Sequence, residues 1–305
     1  MKKLMRIPFA KFEALGNDFI VSSPLEWSAR GQIGTIPLRQ RQHVSRTPFF
    51  RRLAKAICER HTGVGADGLL LIGPPDDRKN HARVRFFNAD GSEAEMSGNG
   101  IRCVAASMME TRLRHKTLKL ETLAGVRTLE HVRGGAGNHT FRVSMGRPIL
   151  EPKLIPFRAE DAAAPVVGYS LATKGGEYRV TVTSMGNPHC SLFVKEFDEL
   201  DWPAIGLEIE THALFPNRTN VEFVRLISRQ EIEVRYWERG VGVTASSGTG
   251  SSGAVVASIL NGFTGRRVRV QTLAGALQVE WPDGGEVILT GPARWVATGD
   301  YAYPG

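Results

Sequence analysis

Two short glycine-containing loops stand 150 residues apart, Ser97-Gly98-Asn99-Gly100 and Ser247-Gly248-Thr249-Gly250, and each precedes a segment rich in small apolar residues that suits a buried helix. Glycines let the backbone turn tightly and leave several N–H groups exposed at a helix start, where the helix also carries partial positive charge. These features predict a site for a carboxylate or a phosphate. A plain N-cap explains either loop taken alone. Two related loops favour one carboxylate that receives donors from both.

The loops belong to a longer internal repeat with the same offset. Thr122-Leu123-Ala124-Gly125 recurs as Thr272-Leu273-Ala274-Gly275, and strand-like runs precede these motifs and the loops at residues 84–87, 119–121, 234–237 and 269–271. A looser echo pairs Leu15-Gly16-Asn17 with Met185-Gly186-Asn187. A period of this length exceeds the roughly 20–50 residues of a solenoid repeat, so it indicates a duplicated domain. The sequence predicts an α/β protein of two pseudo-symmetric halves, in which short turns make antiparallel strands dominant.

Residues 22–52 have no counterpart in the second half. This stretch is rich in arginine, contains Pro24, Pro37 and Pro48, and is predicted to be a surface insertion that carries much of the net charge of +8. A basic chain with a pI near 9.6 suits nucleic acid, a membrane surface, small anions, or simply a soluble surface. The stretch lacks the interleaved aromatic residues expected of a single-strand binder. A nucleic-acid partner is therefore the weakest of the function hypotheses.

Composition places the protein among globular, soluble chains. Its 305 residues, 42% of them hydrophobic and 23% charged, suit two domains. Three cysteines without a CxxC pair build neither a disulfide framework nor a zinc site. Arg6 and Pro8 interrupt the first residues, which excludes a signal peptide, and no segment approaches the about 20 apolar residues of a membrane span. We expect a cytoplasmic protein with no membrane partner.

Two glycine motifs have the spacing of a dinucleotide-binding site but lack the arrangement of strand and helix that such a site requires. The glycines from Gly63 to Gly68 have dinucleotide-site spacing, but they follow a helix-like run at 53–60 and precede a strand-like run at 69–72, the reverse of the fingerprint. The glycines from Gly248 to Gly253 do precede a helix, yet the preceding strand is expected to end about ten residues earlier. There is no P-loop, no HExxH and no G-x-S-x-G, so Ser97 and Ser247 are not interpreted as acyl-transfer nucleophiles.

Eight motifs resemble, in their order, those of the diaminopimelate epimerase family, over nearly the whole chain except residues 22–52. They are Leu15-Gly16-Asn17-Asp18-Phe19, Gly63-Val64-Gly65-Ala66-Asp67-Gly68, Asn88-Ala89-Asp90-Gly91-Ser92, Gly98-Asn99-Gly100, Gly186-Asn187-Pro188-His189, Asn220-Val221-Glu222-Phe223, Glu238-Arg239-Gly240 and Gly248-Thr249-Gly250. The resemblance implies two halves, 1–147 and 148–292, each a central helix wrapped by strands, with the active-site cleft between them. It also implies that a final strand at 293–305 returns to the first half, and that the protein is a homodimer needing no pyridoxal phosphate and no metal.

The implied reaction inverts the carbon beside a carboxylate in an amino-acid dicarboxylate, between LL- and meso-diaminopimelate, in lysine and peptidoglycan precursor biosynthesis. Such a racemase or epimerase needs a base on one face, an acid on the other, and donors for an enolate-like charge. By resemblance the catalytic positions are Ser97 and Ser247. The implied substrate-binding residues are Asn17, Asn88, Gly98, Asn99, Asn187, Asn220, Glu238, Arg239, Gly248 and Thr249. Among them Glu238 assists the amine, and the Arg239 fork suits a carboxylate.

The main departure is chemical: the family has cysteines where this chain has Ser97 and Ser247. A hydroxyl is far less acidic than a thiol, and a helix dipole worth about 0.3–2 kcal/mol does not close that gap. Cys103 is predicted to be a small buried residue of a helix, whereas Cys190 with His189 is an alternative acid/base pair. Two functions remain open, an isomerase of this family and a paralogue that binds a diaminopimelate-like carboxylate without epimerising it.

Overall fold

The computed structural model describes residues 4–29, 47–111 and 115–304. The chain forms two compact units, one comprising Met1–Arg142 with Pro292–Gly305 and the other Val143–Gly291. The division falls between Arg142 and Val143, inside the strand Asn138–Gly146, and so slightly before residue 147.

The first unit alternates hairpins with helical crossovers. Its elements are β1 (Met5–Ala14), β2 (Asn17–Ser22), β3 (Ser28–Ala29), α1 (Thr47–Cys58), β4 (Gly68–Gly73), β5 (Ala82–Asn88), β6 (Glu93–Ala94), α2 (Gly98–Glu110), β7 (Thr117–Thr122), β8 (Gly125–Gly135) and β9 (Asn138–Gly146). The pairs β1–β2, β4–β5 and β7–β8 are antiparallel, while β2–β4 and β5–β7 are parallel. The parallel pairs are the two joined through α1 and α2, since a parallel connection needs a crossover.

The second unit repeats this plan. Its elements are β10 (Val166–Thr173), β11 (Gly176–Ser184), β12 (Pro188–Val194), α3 (Trp202–Glu210), β13 (Asn220–Ser228), β14 (Glu231–Glu238), β15 (Gly242–Thr244), α4 (Gly248–Leu260), β16 (Arg267–Thr272), β17 (Gly275–Glu280) and β18 (Val287–Tyr303). The parallel pairs β12–β13 and β14–β16 are again those with a helix, α3 or α4, in the connection. Strand β18 crosses the division of the chain: its residues before Pro292 belong to the second unit and pair with β17, and its residues from Pro292 onward belong to the first unit and pair antiparallel with β1.

A buried helix occupies the centre of each unit, as the fold-class prediction required. Helix α2 packs on β1, β2, β4 and β8, and α4 packs on β11, β12, β13, β14, β16 and β17. Ile101 and Val104 in α2, and Val255 and Val256 in α4, are fully buried. Both helices are apolar on nearly every face, which suits a helix enclosed by strands. Within the described residues, no helix is long and apolar enough to cross a membrane.

The position of helix α1 differs from two expectations, the helix-like run at 53–60 and the surface insertion at 22–52. It spans Thr47–Cys58 rather than 53–60, because Pro48 occupies its first turn, where proline is well tolerated, instead of marking a loop. Its buried face includes Phe50, so the end of the stretch 22–52 belongs to the core rather than to a surface insertion. At the other end, Trp27 is buried and its Nε1 donates to Ser22 Oγ at 2.8 Å. Residues 30–46, which hold most of that stretch, lie outside the described residues.

The structure also shows which elements flank the two glycine motifs with dinucleotide-site spacing. The segment from Gly63 to Gly68 lies between α1 and β4, so its order is indeed the reverse of a dinucleotide site. The strand β14 ends at Glu238, ten residues before Gly248, as expected, but the short strand β15 intervenes and ends at Thr244. The sequence did not predict β15.

Candidate active site

Ser97 and Ser247 are the N-caps of α2 and α4. Their backbones are extended and nearly identical, with φ −131° and ψ 125° at Ser97, and φ −139° and ψ 128° at Ser247. Each hydroxyl accepts a hydrogen bond from the backbone N–H three residues later, Gly100 N at 3.1 Å and Gly250 N at 3.2 Å. The repeat thus extends to local geometry, and each unit holds one capped helix start of the kind that binds anions.

Close packing explains the third position of each glycine loop. A Cβ on Gly250 would lie 2.9 Å from the Tyr236 ring and 3.1 Å from Glu222 Oε1. A Cβ on Gly100 would lie 3.3 Å from the Phe86 ring. Phe86 and Tyr236 are equivalent residues of β5 and β14. Glycine lets each helix start approach its strand this closely without displacing a neighbour, and the demand is stricter at Gly250 than at Gly100.

Asn17 and Asn187 each follow a glycine whose φ is positive, 83° at Gly16 and 99° at Gly186. Side chains rarely adopt such angles, so glycine sets both turns. Asn17 Oδ1 accepts from Asn99 Nδ2 at 2.6 Å, which joins the turn to the first glycine loop. In the second unit Asn187 Oδ1 lies 3.0 Å from His189 Nε2 instead. The equivalent amides therefore have different partners.

A buried arginine, which the sequence analysis did not single out, supports the first loop. Arg102 has no exposed surface and donates to Asn99 Oδ1 at 2.7 Å, to Gly98 O at 2.9 Å and to Pro292 O at 3.1 Å. The amide of Asn17, which accepts from Asn99 through Oδ1, donates through Nδ2 to Asp67 Oδ2 at 3.2 Å. A charged residue inside an otherwise apolar helical segment is the signal that could have identified Arg102.

The last residues of β5 and β14, Asn88 and Glu238, are equivalent but chemically different. Asn88 is exposed and its Nδ2 donates to Ser92 Oγ at 2.9 Å. The Glu238 carboxylate accepts from Thr244 Oγ1 at 2.7 Å. Burial raises the pKa of Glu238 and outweighs the lowering effect of the Thr244 and Ser247 hydroxyls. A buried carboxylate with a raised pKa, close enough to the Ser247 cap to be influenced by it, suits general acid/base chemistry.

Asn220 and Arg239 form the other substrate-binding group expected in the second unit. Asn220 Nδ2 donates to Pro188 O at 2.8 Å, and Asn220 Oδ1 accepts from Arg239 N at 3.0 Å. The Arg239 side chain is exposed and donates to Asn217 O at 3.1 Å. Glu210, which sequence reasoning missed, is buried and accepts from Trp237 Nε1 at 2.7 Å and Gly240 N at 3.0 Å. It holds the turn that carries Arg239.

A buried His189–Glu222 pair lies against α4. His189 Nδ1 is 2.6 Å from Glu222 Oε1, and Ser191 Oγ donates to Glu222 Oε2 at 3.3 Å. Burial raises the pKa of Glu222 despite these partners. A Cβ on Gly253 would lie 3.0 Å from His189 Cγ, so the pair packs closely on the helix. The signal in the sequence was a glutamate between apolar residues of a strand.

The alternative role for Cys190 is wrong. Cys190 is fully buried, and its side chain packs with Leu192 and Val221 in the core of the second unit. Burial raises the pKa of its thiol well above the ordinary value. His189 is the neighbouring residue of the same strand, and neighbouring side chains of a strand point to opposite faces. Cys103 is buried in α2, as predicted.

The expected site residues thus form one group in each unit. Asn17, Gly98 and Asn99 are joined by hydrogen bonds beside Ser97, and Asn88 ends the strand that leads toward this loop. In the second unit Gly248 and Thr249 follow the Ser247 cap, Glu238 bonds to Thr244 three residues before that cap, and Asn220 bonds to Arg239. Asn187 is linked to His189. Within the described residues, no three His, Cys, Asp or Glu side chains are grouped as a metal site would need.

Solved structures with the same fold come from several isomerases. A hydroxyproline epimerase from Agrobacterium vitis, with bound trans-4-OH-L-proline, superposes with a TM-score of 0.67 at 15% identity, covering 98% of this chain and 93% of that one. A probable proline racemase from Agrobacterium radiobacter gives a TM-score of 0.63 at 14% identity, covering 96% and 92%. At such identities the likeness establishes the fold alone.

Sequence comparison is more specific. A diaminopimelate epimerase of Pelotomaculum thermopropionicum is 44% identical over 296 residues, which cover 97% of this chain and 99% of that protein. One from Desulfitobacterium hafniense is 41% identical over 290 residues, covering 95% and 96%. The family model described as diaminopimelate epimerase matches residues 35–151 and 181–296, so its match includes part of the stretch 22–52 that the motifs had left out. The chain belongs to the diaminopimelate epimerase family.

Proposed function

We propose that this protein interconverts LL- and meso-diaminopimelate by exchanging the proton on the carbon beside a carboxylate, without pyridoxal phosphate. The observation that carries the proposal is the pair of equivalent capped helix starts, at Ser97 and Ser247, in a chain that is 44% identical to a diaminopimelate epimerase over 97% of its length. Backbone N–H groups at Gly98, Asn99, Gly248 and Thr249 would stabilise the enolate-like charge that develops when the proton leaves.

The two serines occupy the positions of the acid and the base. An alcohol is a weak acid at neutral pH, so the Ser247 hydroxyl needs a stronger partner. Glu238 is the candidate for this partner, because burial raises its pKa and the Ser247 hydroxyl is among the groups that influence that pKa. We therefore assign Glu238 as the group that takes up the proton passed through Ser247. This role replaces the contact with the substrate amine that the resemblance implied.

The remaining residues hold the end of the substrate that does not react. Arg239 has an exposed guanidinium whose planar fork suits a carboxylate, and Asn220 fixes the backbone from which it extends. Asn17, Asn88, Asn99 and Asn187 provide amide donors and acceptors for the polar groups of an amino acid. We also propose a homodimer that works in the cytoplasm in lysine and peptidoglycan precursor synthesis. The family membership supports this setting, and light scattering of the purified protein tests the dimer.

Proton exchange in heavy water tests the reaction. LL-diaminopimelate is incubated with the native protein, and the α-proton signal is followed by NMR together with appearance of the meso form. We expect slow exchange by the native protein and much faster exchange by the Ser97→Cys, Ser247→Cys double variant, because a thiol at a helix start is far more acidic. No exchange by either protein would defeat the proposal.

Calorimetric titration with LL-diaminopimelate distinguishes an active epimerase from the alternative, a paralogue that binds the compound without epimerising it. Binding by the native protein, with exchange only in the double cysteine variant, would identify a carboxylate-binding paralogue that has lost turnover. Glu238→Gln tests whether Glu238 takes up the proton that passes through Ser247. It should abolish the native exchange while leaving the affinity for diaminopimelate within a few-fold of the native value.

A further inference from the structure

Four side chains of the first unit form a chain of hydrogen bonds that runs in one direction. Arg102 NH2 donates to Asn99 Oδ1 at 2.7 Å, and Asn99 Nδ2 donates to Asn17 Oδ1 at 2.6 Å. Asn17 Nδ2 then donates to Asp67 Oδ2 at 3.2 Å. Two of these residues, Asn17 and Asn99, belong to the proposed substrate site.

The ends of this chain fix its direction. A guanidinium has only donors and an ionised carboxylate has only acceptors, whereas an amide can turn either end toward a neighbour. With Arg102 at one end, Asn99 must present Oδ1 to it and Nδ2 to Asn17. With Asp67 at the other end, Asn17 must present Nδ2 to it and Oδ1 to Asn99. Reversing either amide would bring donor to donor or acceptor to acceptor.

The buried charge of Arg102 needs such an explanation. Burial lowers the pKa of Arg102 to about 10, so ionisation costs free energy here, although the group stays charged at neutral pH. The equivalent residue of α4 is Ser252, whose hydroxyl donates to Gly248 O at 2.8 Å. Arg102 makes the same backbone contact to Gly98 O. A serine is therefore sufficient for that contact, and the guanidinium adds the bond to Asn99.

The Asp67 end of this chain of hydrogen bonds is held in place by contacts other than the one with Asn17. Asp67 Oδ2 also accepts from Asp18 N at 3.1 Å, and Asp67 Oδ1 accepts from Arg60 at 2.8 Å. These bonds fix the carboxylate that Asn17 meets. Asp67 follows the turn after α1 and directly precedes β4, which pairs with the strand that Asn17 begins.

We propose that Arg102 and Asp67 are positioning residues that lock the side-chain amides of Asn17 and Asn99 in one orientation, so that Asn17 presents an amide N–H donor to a ligand carboxylate. The ligand part of this inference rests on the proposed function. The locked orientation itself is a property of the protein without ligand.

NMR of the ¹⁵N-labelled, ligand-free protein tests the lock. The side-chain NH₂ signals of Asn17 and Asn99 are assigned from Asn17→Ala and Asn99→Ala. Asp67→Asn removes the acceptor-only end at nearly constant shape, so we expect it to shift the signals of Asn99 as well as those of Asn17. Glu93→Gln, which alters the separate Arg85–Glu93 ion pair of the same unit, should shift neither. Unchanged Asn99 signals in Asp67→Asn would overturn the proposal.

The other end is tested by a conservative pair of variants. Arg102→Lys retains a donor-only cation, whereas Arg102→Met removes it. The Asn17 signals of Arg102→Lys should lie closer to those of the native protein than the signals of Arg102→Met do. Equal shifts in both variants would show that Arg102 acts through packing alone and would count against the lock.

Calorimetry with meso-diaminopimelate adds the functional measurement. We expect Kd to rise about tenfold in Asp67→Asn and to stay unchanged in Glu93→Gln. An unchanged Kd in Asp67→Asn, despite shifted amide signals, would refute the role of the lock in carboxylate binding. If the native protein does not bind the compound, the proposed function fails, while the NMR result still decides on the lock.

Discussion

The imidazole of His189 lies 2.6 Å from the carboxylate of Glu222, and both side chains are buried. Strand register places Phe19 and Leu70 at the equivalent positions of the first unit, where both are also buried. The same positions are thus occupied once by two buried apolar side chains and once by a hydrogen-bonded pair. A buried pair loses much of its attraction to desolvation, so stability alone does not explain it. Its contacts with Asn187 and with α4 tie it to the candidate site.

The apolar residues of the first unit suggest a pair of substitutions in the second. His189→Phe leaves the buried Glu222 carboxylate with Ser191 as its remaining donor, which should cost up to about 3–5 kcal/mol of unfolding free energy. Adding Glu222→Leu removes that carboxylate, so the double variant should be more stable than the single His189→Phe variant. Urea unfolding at neutral pH measures both. A double variant less stable than His189→Phe would show that packing, not the unpaired charge, dominates.

The serine caps should contribute about equally to stability in the two units. Ser97→Ala and Ser247→Ala each remove one hydrogen bond to a helix N–H, which typically costs about 1 kcal/mol. Ser97→Asp restores a capping acceptor and serves as the control. Urea unfolding of the three variants provides the measurement. A loss below about 0.3 kcal/mol in both alanine variants would mean that the hydroxyls do not cap these helices.

The third glycine-loop positions should differ in tolerance. Gly250→Ala places a methyl group 2.9 Å from the buried Tyr236 ring, whereas Gly100→Ala meets Phe86 at 3.3 Å. Overpacking of a core costs about 1–3 kcal/mol, so we expect Gly250→Ala to lie at the upper end and Gly100→Ala at the lower end of that range. Thermal unfolding midpoints, with Gly73→Ala as a control where a methyl group meets open space, test the order. Equal losses would contradict it.

The sequence was sufficient for the duplicated fold and for the positions of the two capped helix starts. The offset of 150 and the alternation of apolar residues predicted β7 and β16, and the small residues after each loop predicted α2 and α4. Each of these features is local in the chain. The start of α1 was missed because Pro48 also suits a loop, and only packing of Phe50 decides between the two.

The partners of the site residues were beyond such reasoning. Arg102 bonds to Pro292 O, 190 residues away, and Glu222 bonds to a histidine 33 residues earlier. A charge inside an apolar run signals a buried partner without naming it, because the partner depends on strand register. The Cys190 alternative failed for the same reason, since the face of a strand that a side chain occupies is set by the sheet.

The raised pKa of Glu238 predicts a pH-dependent stability of defined sign. Its pKa in the folded protein lies above the ordinary value of 4.5, mainly through burial. The protonated form is therefore the one that folding favours. Its contribution is complete below pH 4.5 and is lost as the pH rises through the folded pKa. Glu238→Gln mimics the protonated form at every pH. The unfolding free energy of this variant should therefore increase relative to that of the native protein from about pH 4.5 upward.

Glu233, in the same strand, supplies a control of opposite sign. Burial alone would raise its pKa, but hydrogen bonds from Arg225 and Arg235 outweigh burial and lower it. Its contribution is present above pH 4.5 and is lost as the pH falls through the folded pKa, so Glu233→Gln should lose stability toward neutral pH. Urea unfolding of the native protein and both variants from about pH 3 to pH 8, a range that includes the titration of Glu233 below pH 4.5, gives the two difference curves. Curves of the same slope would show that Glu238 does not titrate with a raised pKa, and would remove the proton acceptor from the path through Ser247.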